Sequence, residues 1–454
     1  NAASDVYRAD ILEVPGTGSV LGVAYYAGDV YAWRLTSMYK SSGAGWTAVT
    51  LGEELSFNTG TAAILDGDTV TGATSAATGV VARVVLESGT FAAGTAAGRL
   101  ILSSSTGTFS SGENLTVAAA VKAIAGGAAT QITLTTGGRY ETVVANFGGG
   151  TASYKLYGCD GVNRAFEFDG TTFVPIATGM TADTPNHIVF HKQHLFLSFG
   201  ASVQFSGLGY PYQWTPLLGA GEIAMNAAVS NLLVLPGDQS SGALAIYTRN
   251  DTSVLYGTSS ANFSLSSFNT GTGAYAYTAQ TIDQAYVFDD RGIISLGTSL
   301  NFGNFLPASL TMNIQTFISA HRQLAIGSTV NRDKGQYRVF FSDGSGLYMT
   351  ILNGKLLGSM PIEYADAINC CVDAEAPNGG TVQFFGSTNG FVYQMDLGTS
   401  FDGDTIPANI NLVYNSTKSP RILKRYRRAS VELTGDSYAE IQFGYDLGYR
   451  TANI

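Results

Sequence analysis

The sequence predicts an all-β fold: a β-propeller of roughly six to eight blades with a small β-barrel or sandwich inserted into its first blade. Strand–turn–strand units recur along the chain, with aromatic and polar residues alternating on either side of tight polar turns. The last four of these turns, at Asn250, Asp290, Asp343 and Asn389, lie about 40, 53 and 46 residues apart, which is the interval of one four-stranded blade. Residues 57–135 then break the rhythm, being dominated by Ala, Gly, Thr, Ser and Val with no Tyr or Trp.

The units follow in chain order. Residues 21–27 run into Gly28-Asp29 and leave as Val30-Tyr31-Ala32-Trp33-Arg34. Residues 154–157 turn at Asp160-Gly161 into Phe166-Glu167-Phe168, and 188–190 turn near Lys192-Gln193 into Leu195-Phe196-Leu197. Further strands precede Asn250-Asp251, Asp290-Arg291-Gly292, Asp343-Gly344 and Asn389-Gly390. Asp-Gly and Asn-Gly supply the positive φ angles that short hairpins need. Seven such units predict a domain plan of residues 1–56 as the first part of the propeller, 57–135 as the insert and 136–454 as the remainder, left open at its C-terminal end. The competing arrangement is a set of unrelated hairpins in stacked sandwiches.

Inside the insert, Gly89-Thr90-Phe91-Ala92-Ala93-Gly94 returns as Gly107-Thr108-Phe109-Ser110-Ser111-Gly112, eighteen residues later. Eighty structureless residues within a compact domain would be out of proportion, and exposed loop tips accept inserted domains. A single helix is expected after Thr311, carrying Ile314, Phe317 and Ile318 on one face.

Composition removes several function classes. Of 454 residues only 13% are charged, about half the usual 25%, while Gly supplies 55 positions and Tyr, Phe and Trp 24, 24 and 3. A disordered chain would have few aromatics and a high charge, and collagen would show a three-residue glycine period. Apolar runs fall well short of the ~18 residues a membrane helix requires. The net charge of −10 argues against a general nucleic-acid binder. Three cysteines, Cys159, Cys370 and Cys371, make no disulfide framework. The opening Asn1-Ala2-Ala3 and the end at Ile454 predict a portion of a longer chain.

Motifs for chemistry are sparse. His187, His191 and His194 have an H-x3-H-x2-H spacing that would suit zinc on a helix. Here the intervening residues predict strand, turn, strand, with the histidines on different faces of a solvated hairpin tip. Asp396, Asp402 and Asp404 cluster, yet acidic residues beside glycine are mostly turn formers. Neither a nucleophile elbow nor a phosphate loop occurs. The expectation is a protein that is not an enzyme, with no catalytic residue, cofactor or metal.

One charge feature remains. Lys418, Arg421, Lys424, Arg425, Arg427 and Arg428 place six of the 24 cations within eleven residues. The segment continues towards Val431 and Leu433 as a strand with cations on both faces, and such a strand cannot be wholly buried. Three readings stand: a solvated rim strand, a protein interface, or contact with DNA phosphates.

Several stretches, taken together, resemble one family. They are Pro15-Gly16-Thr17-Gly18 ahead of Gly22-Val23-Ala24-Tyr25-Tyr26, residues 157–166, residues 194–198 running to 206–214, Leu255-Tyr256-Gly257, residues 289–293, residues 336–344, and Phe385-Gly386-Ser387. They are similar to the tail nozzle proteins of short-tailed bacteriophages, also called tail tubular protein B or packaged-DNA stabilisation proteins. The resemblance implies a virion component made in the host cytoplasm. It implies a ring of copies, usually a hexamer, below the portal and adaptor, retaining and then conducting double-stranded DNA without sequence recognition. An acidic wall suits that passage, because the densely charged phosphates do not stick to it. The alternative is a glycan-binding or glycan-cleaving propeller for host receptor recognition, using the aromatics Tyr210, Tyr212 and Trp214 and the carboxylates Asp402 and Asp404. A third is a protein-interaction propeller outside viruses.

Overall fold

A computed structural model describes residues 12–150, 153–237, 242–269, 271–299 and 304–410, with 419, 427, 428, 430–432, 442 and 444 beyond them. Residues 1–404 form one unit and 405–454 a second. The first unit is an all-β, seven-bladed propeller with a barrel inserted between its first two blades.

Blade 1 comprises β1 (Gly22–Tyr26), β2 (Asp29–Arg34), β3 (Ser37–Ser42) and β4 (Gly45–Ala48). The barrel follows, with β5 (Glu53–Gly60), β6 (Thr69–Gly72), β7 (Thr78–Ser88), β8 (Ala96–Thr106), β9 (Asn114–Val117), β10 (Ala120–Ala125) and β11 (Thr130–Gln131). Blade 2 is β12 (Glu141–Asn146), β13 (Tyr154–Cys159), β14 (Phe166–Phe168) and β15 (Phe173–Pro175). Blade 3 is β16 (Ile188–His191), β17 (His194–Phe199), β18 (Ser202–Phe205) and β19 (Gly221–Ala224). Blade 4 is β20 (Val229–Val234), β21 (Leu244–Thr248), β22 (Thr252–Tyr256) and β23 (Ser264–Asn269). Blade 5 is β24 (Gln280–Thr281), β25 (Ala285–Asp289), β26 (Gly292–Ser299) and β27 (Asn304–Ser309). Blade 6 is β28 (Ala325–Asn331), β29 (Gln336–Phe341), β30 (Ser345–Leu352) and β31 (Lys355–Glu363). Blade 7 has three strands among the described residues, β32 (Ile368–Glu375), β33 (Thr381–Ser387) and β34 (Val392–Gln394).

Each blade is an antiparallel meander whose first strand lies beside the first strands of both neighbours, so these inner strands close a ring from β1 round to β32 and back. Successive cores fill the wedges between blades: Phe196, Phe205, Leu232 and Leu244 between blades 3 and 4, and Tyr286, Phe288, Tyr337 and Phe341 between blades 5 and 6. Closure between blades 7 and 1 uses the segment ahead of β1. Val14 and Val20 donate backbone N–H bonds to Gly390 and Ser387 at 3.0 and 3.1 Å. Arg34, itself buried, reaches the carbonyls of Gly18 and Val14. It lies against Gly390, where a Cβ would fall 2.3 Å from the guanidinium carbon.

The insert is a closed barrel, because β10 pairs back onto β5 and completes the order β5-β8-β7-β6-β9-β10. Leu55, Phe57, Leu100, Leu102, Phe109 and Leu115 fill it. The sequence echo is a structural repeat. Both copies are strand connections bounded by left-handed glycines, Gly89 and Gly94 in one, Gly107 and Gly112 in the other, and each turns a phenylalanine inward. Phe91 stacks on Phe57 at 6.0 Å, and Phe109 is buried. Glu113 clasps the second connection, accepting N–H bonds from Ser110, Thr74 and Ser75 and the Ser75 hydroxyl.

The helix is one turn of 3-10 structure, Met312–Ile314, followed by α1 (Gln315–His321), with Ile318 buried. Thr311 does not cap it. Its hydroxyl instead accepts the Ile293 N–H at 3.1 Å, which anchors the helix to β26. Among the described residues no helix is long and apolar enough to cross a membrane.

Candidate functional site

Two features gather charged groups where separate elements of the fold meet. The first is one mouth of the propeller axis. Arg139, just ahead of β12 in blade 2, donates to the carbonyl of Ile326 on β28 in blade 6, so its side chain crosses the axis. Its guanidinium lies 4.0 Å from the ring centroid of Tyr277, which leads into blade 5. Gly327 makes room for it, since a Cβ there would sit 2.6 Å from Arg139 Nη2. On the other side His187, ahead of β16, has its ring 4.9 Å from that of Tyr277 and its Nδ1 3.0 Å from Glu141 Oε2. Tyr277 adopts φ +61°, a left-handed conformation that a bulky side chain rarely takes. Its carbonyl is held by the Ser328 N–H at 2.9 Å, and burial pushes its hydroxyl well above the usual tyrosine range. The mouth is therefore bridged by side chains from three blades and a carbonyl from a fourth.

The second feature is the junction between the barrel and blade 2. Glu167, 1% exposed, accepts Lys155 Nζ at 2.5 Å, Tyr157 Oη at 2.8 Å and, from the barrel, Arg83 Nη1 at 3.0 Å. Arg83 also meets Asp169 at 2.5 Å and Asp66 at 3.2 Å. A second hub is Glu54 on β5, paired with the barrel's Arg99 at 2.6 Å and blade 2's Arg164 at 3.0 Å. Burial alone would raise the Glu54 carboxyl, but Arg99 and Arg164 outweigh it and hold it below the usual range. Val85, Ile101, Ile132 and Leu134 share one core with Trp33 and Tyr140. The barrel is thus built into blades 1 and 2 by both apolar packing and charge. An open groove of about 350 Å³ runs along the junction beside Gln131, Arg164 and Asp183.

The residues singled out from sequence are distributed otherwise. Of the basic segment, Arg427 and Arg428 are exposed, as are Ser430, Val431 and Glu432, and none of these five is in a strand; Lys418, Arg421, Lys424, Arg425 and Leu433 lie outside the described residues. The histidines depart from expectation. They are buried rather than solvated, at 3, 4 and 0% exposure for His187, His191 and His194, because Tyr277 packs on His187 at the axis mouth while Phe196, Phe205 and Phe263 of blades 3 and 4 cover the hairpin end that carries the other two. His191 and His194 are also direct partners across β16 and β17, hence on one face. Asp396 serves the blade 6–7 interface, accepting Arg338 at 2.6 Å and Lys334 at 3.0 Å. Tyr212 packs into the cores of blades 1 to 3, and Trp214 joins the blade 2–3 core while its Nε1 donates to Pro211 O at 2.9 Å. Tyr210 is exposed. Burial pushes the thiols of Cys370 and Cys371 up, to about 11 and 12.

Arg139 and Glu167 escaped sequence reasoning. Glu167 did leave a signal, a lone charge between two aromatics in Phe166-Glu167-Phe168, which marks a buried strand position that must find a partner. Arg338, between Tyr337 and Val339, has the same form.

No protein-family model matches this chain, and no curated protein matches it in sequence. Solved structures do. The structure of U3-55K is 10% identical with a TM-score of 0.44, covering 84% of this chain and 92% of that one. BBS1N in complex with ARL6DN, from a mercury-soaked crystal, is 12% identical with a TM-score of 0.38, covering 56% and 76%.

Proposed function

We propose that this chain is a structural subunit of a bacteriophage tail, a nozzle or tube protein whose copies form an axial ring. The ring, a hexamer in the favoured arrangement, would sit below the portal and adaptor, retain packaged double-stranded DNA and conduct it during ejection. The observation that carries the reading is the bridged mouth of the propeller axis, where Arg139 reaches across to Ile326. A DNA passage then belongs between copies rather than through the blades, as a ring requires. The barrel supports the same reading, because its shared core and buried ion pairs make it part of the wall and not a tethered module. The net charge of −10 gives a ring of copies a predominantly acidic character that DNA phosphates would not adhere to. The basic segment at 418–428 serves as docking charge towards neighbouring copies.

The packing of Tyr212 and Trp214 into blade cores favours this reading over glycan binding, which needs exposed stacking faces. Electron microscopy of intact particles is the test. An axial ring containing this chain supports the proposal, and a solitary monomer both in solution and in particles overturns it. Exchanging Arg425 and Arg427 for Glu should impair assembly. Glycan cleavage lost on Asp402→Asn or Asp404→Asn would replace the proposal with its alternative.

A further inference from the structure

Independently of any role in a tail, His191 and His194 form a matched pair. They occupy the last rung of the β16–β17 hairpin, directly opposite one another, and such partners project from the same face of a sheet. The connection between them is only Lys192-Gln193, both at positive φ, +50° and +60°, so the pairing is tight. Both side chains are more than nine-tenths buried. His194 Nδ1 lies 2.5 Å from the backbone carbonyl of Ser206. A carbonyl only accepts, so Nδ1 carries the hydrogen and Nε2 of the neutral ring is a bare lone pair.

That Nε2 has no partner, and neither has Nε2 of His191; the two do not hydrogen-bond one another. Buried polar atoms are almost always satisfied, and two orphaned imidazole nitrogens on one sheet face call for an occupant. The neutral imidazole is the form that binds metal, and the Nδ1–H···O=C bond is the orienting contact a ligating histidine ordinarily makes.

We propose that His191 and His194 form a two-imidazole site for a single soft transition-metal ion, Cu(I) in the first instance. The surroundings select the class. Phe196, Phe205 and Phe263 ring His194 with centroids at 6.2, 5.5 and 5.4 Å. Among the described residues no third His, Cys, Asp or Glu completes a ligand set. A divalent ion would bring two uncompensated charges into that aromatic setting, whereas Cu(I) brings one and is content with two neutral nitrogens.

The test is anaerobic titration of the whole chain with Cu(I) against a chromophoric Cu(I) chelator, with Zn(II) as the comparison. One equivalent of Cu(I) should bind, at least tenfold more tightly than Zn(II), and raise the melting temperature. His191→Phe and His194→Phe should each abolish uptake, the new ring joining the existing aromatic cluster. X-ray absorption of the loaded wild-type chain, which needs no variant, should show two nitrogen neighbours and no sulfur. A flat titration, as a buried water would give, overturns the proposal. So does uptake unchanged in both variants, or sulfur in the metal's ligand shell from any of the three cysteines.

Discussion

Replacing Glu167 with Gln tests whether the barrel and propeller are one folding unit. The carboxylate is 1% exposed and is the meeting point of Lys155, Tyr157 and the barrel's Arg83, at 2.5, 2.8 and 3.0 Å. Glutamine fills the same volume but brings no charge, and turns an amide donor towards three donors. Removing one member of a buried ion pair costs ~3–5 kcal/mol, since the partner charge is left uncompensated. Here Arg83 keeps Asp169 and Asp66, and the Lys155 side chain, 21% exposed, regains some water. The loss therefore falls at the lower end, about 3 kcal/mol, or roughly two orders of magnitude in the unfolding equilibrium. Urea unfolding followed by tryptophan fluorescence reads it, because Trp33 lies in the core that barrel and blades share. Amide exchange in β7 and β14 should accelerate together. A loss below ~1 kcal/mol, the range of an exposed ion pair, would refute the reasoning. So would faster exchange in β7 with β14 unchanged, which would mean a barrel that opens by itself.

Three further outcomes are expected. Arg338→Met removes the buried guanidinium that joins Gln383 at 2.6 Å and Asp396 at 2.6 Å; thermal denaturation should show a loss of about 3 kcal/mol, with faster amide exchange in β33. Gly390→Ala forces a Cβ onto Arg34 at a φ of +95°, so closure of blade 7 on blade 1 should weaken by ~1–3 kcal/mol, read as a lower melting temperature. Acid titration tests Glu113. Burial would raise its carboxyl, but N–H donors from Ser110, Ser75 and Thr74 outweigh that and hold it at about 2, against an ordinary 4.5. A folded-state value below the unfolded one gives stability that is full above pH 4.5 and lost as the pH falls towards 2. Glu113→Gln should be less stable at pH 7 and show a flatter acid limb in amide exchange of β9.

How far the fold was legible depends on which turn of each blade the sequence advertised. Turns at 250–251, 290–291, 342–344 and 388–391 are all the connection between second and third strands, in blades 4 to 7, and reading the same connection four times is what made the spacing regular. Gly28 and Lys192-Gln193 are instead first connections, in blades 1 and 3, so the early intervals mixed two kinds of turn. Blade count was bounded for that reason and not fixed. The face assignment of the histidines failed on a related point. Side-chain parity across a hairpin depends on the number of residues in its turn, and a two-residue turn pairs His191 with His194. Lys192 and Gln193 both sit at positive φ without being Gly, Asn or Asp, so the usual two-residue signature was missing.

The bridged axis was invisible for a different reason. Arg139 and Ile326 are 187 residues apart, Arg83 and Glu167 are 84 apart, and Arg338 and Gln383 are 45 apart. In a propeller each blade is local in sequence, but what joins blades, or a barrel to a blade, is not. Local reading can therefore recognise that a charge is out of place, as Glu167 is between two phenylalanines, without naming what it meets. This alters what the low charge content means. Arg34, Arg83, Arg99 and Arg338 are all committed to holding elements together, with side-chain exposures of 4, 17, 5 and 1%. Cations so buried contribute little to the field outside the molecule, because each is matched by a carboxylate or a carbonyl at contact distance. Long-range attraction or repulsion is thus set by the exposed remainder. Within that remainder Arg427 and Arg428 are exposed and belong to the densest run of positive charge in the sequence, so charge reversal in that run should change association with partners far more than it changes the stability of the propeller.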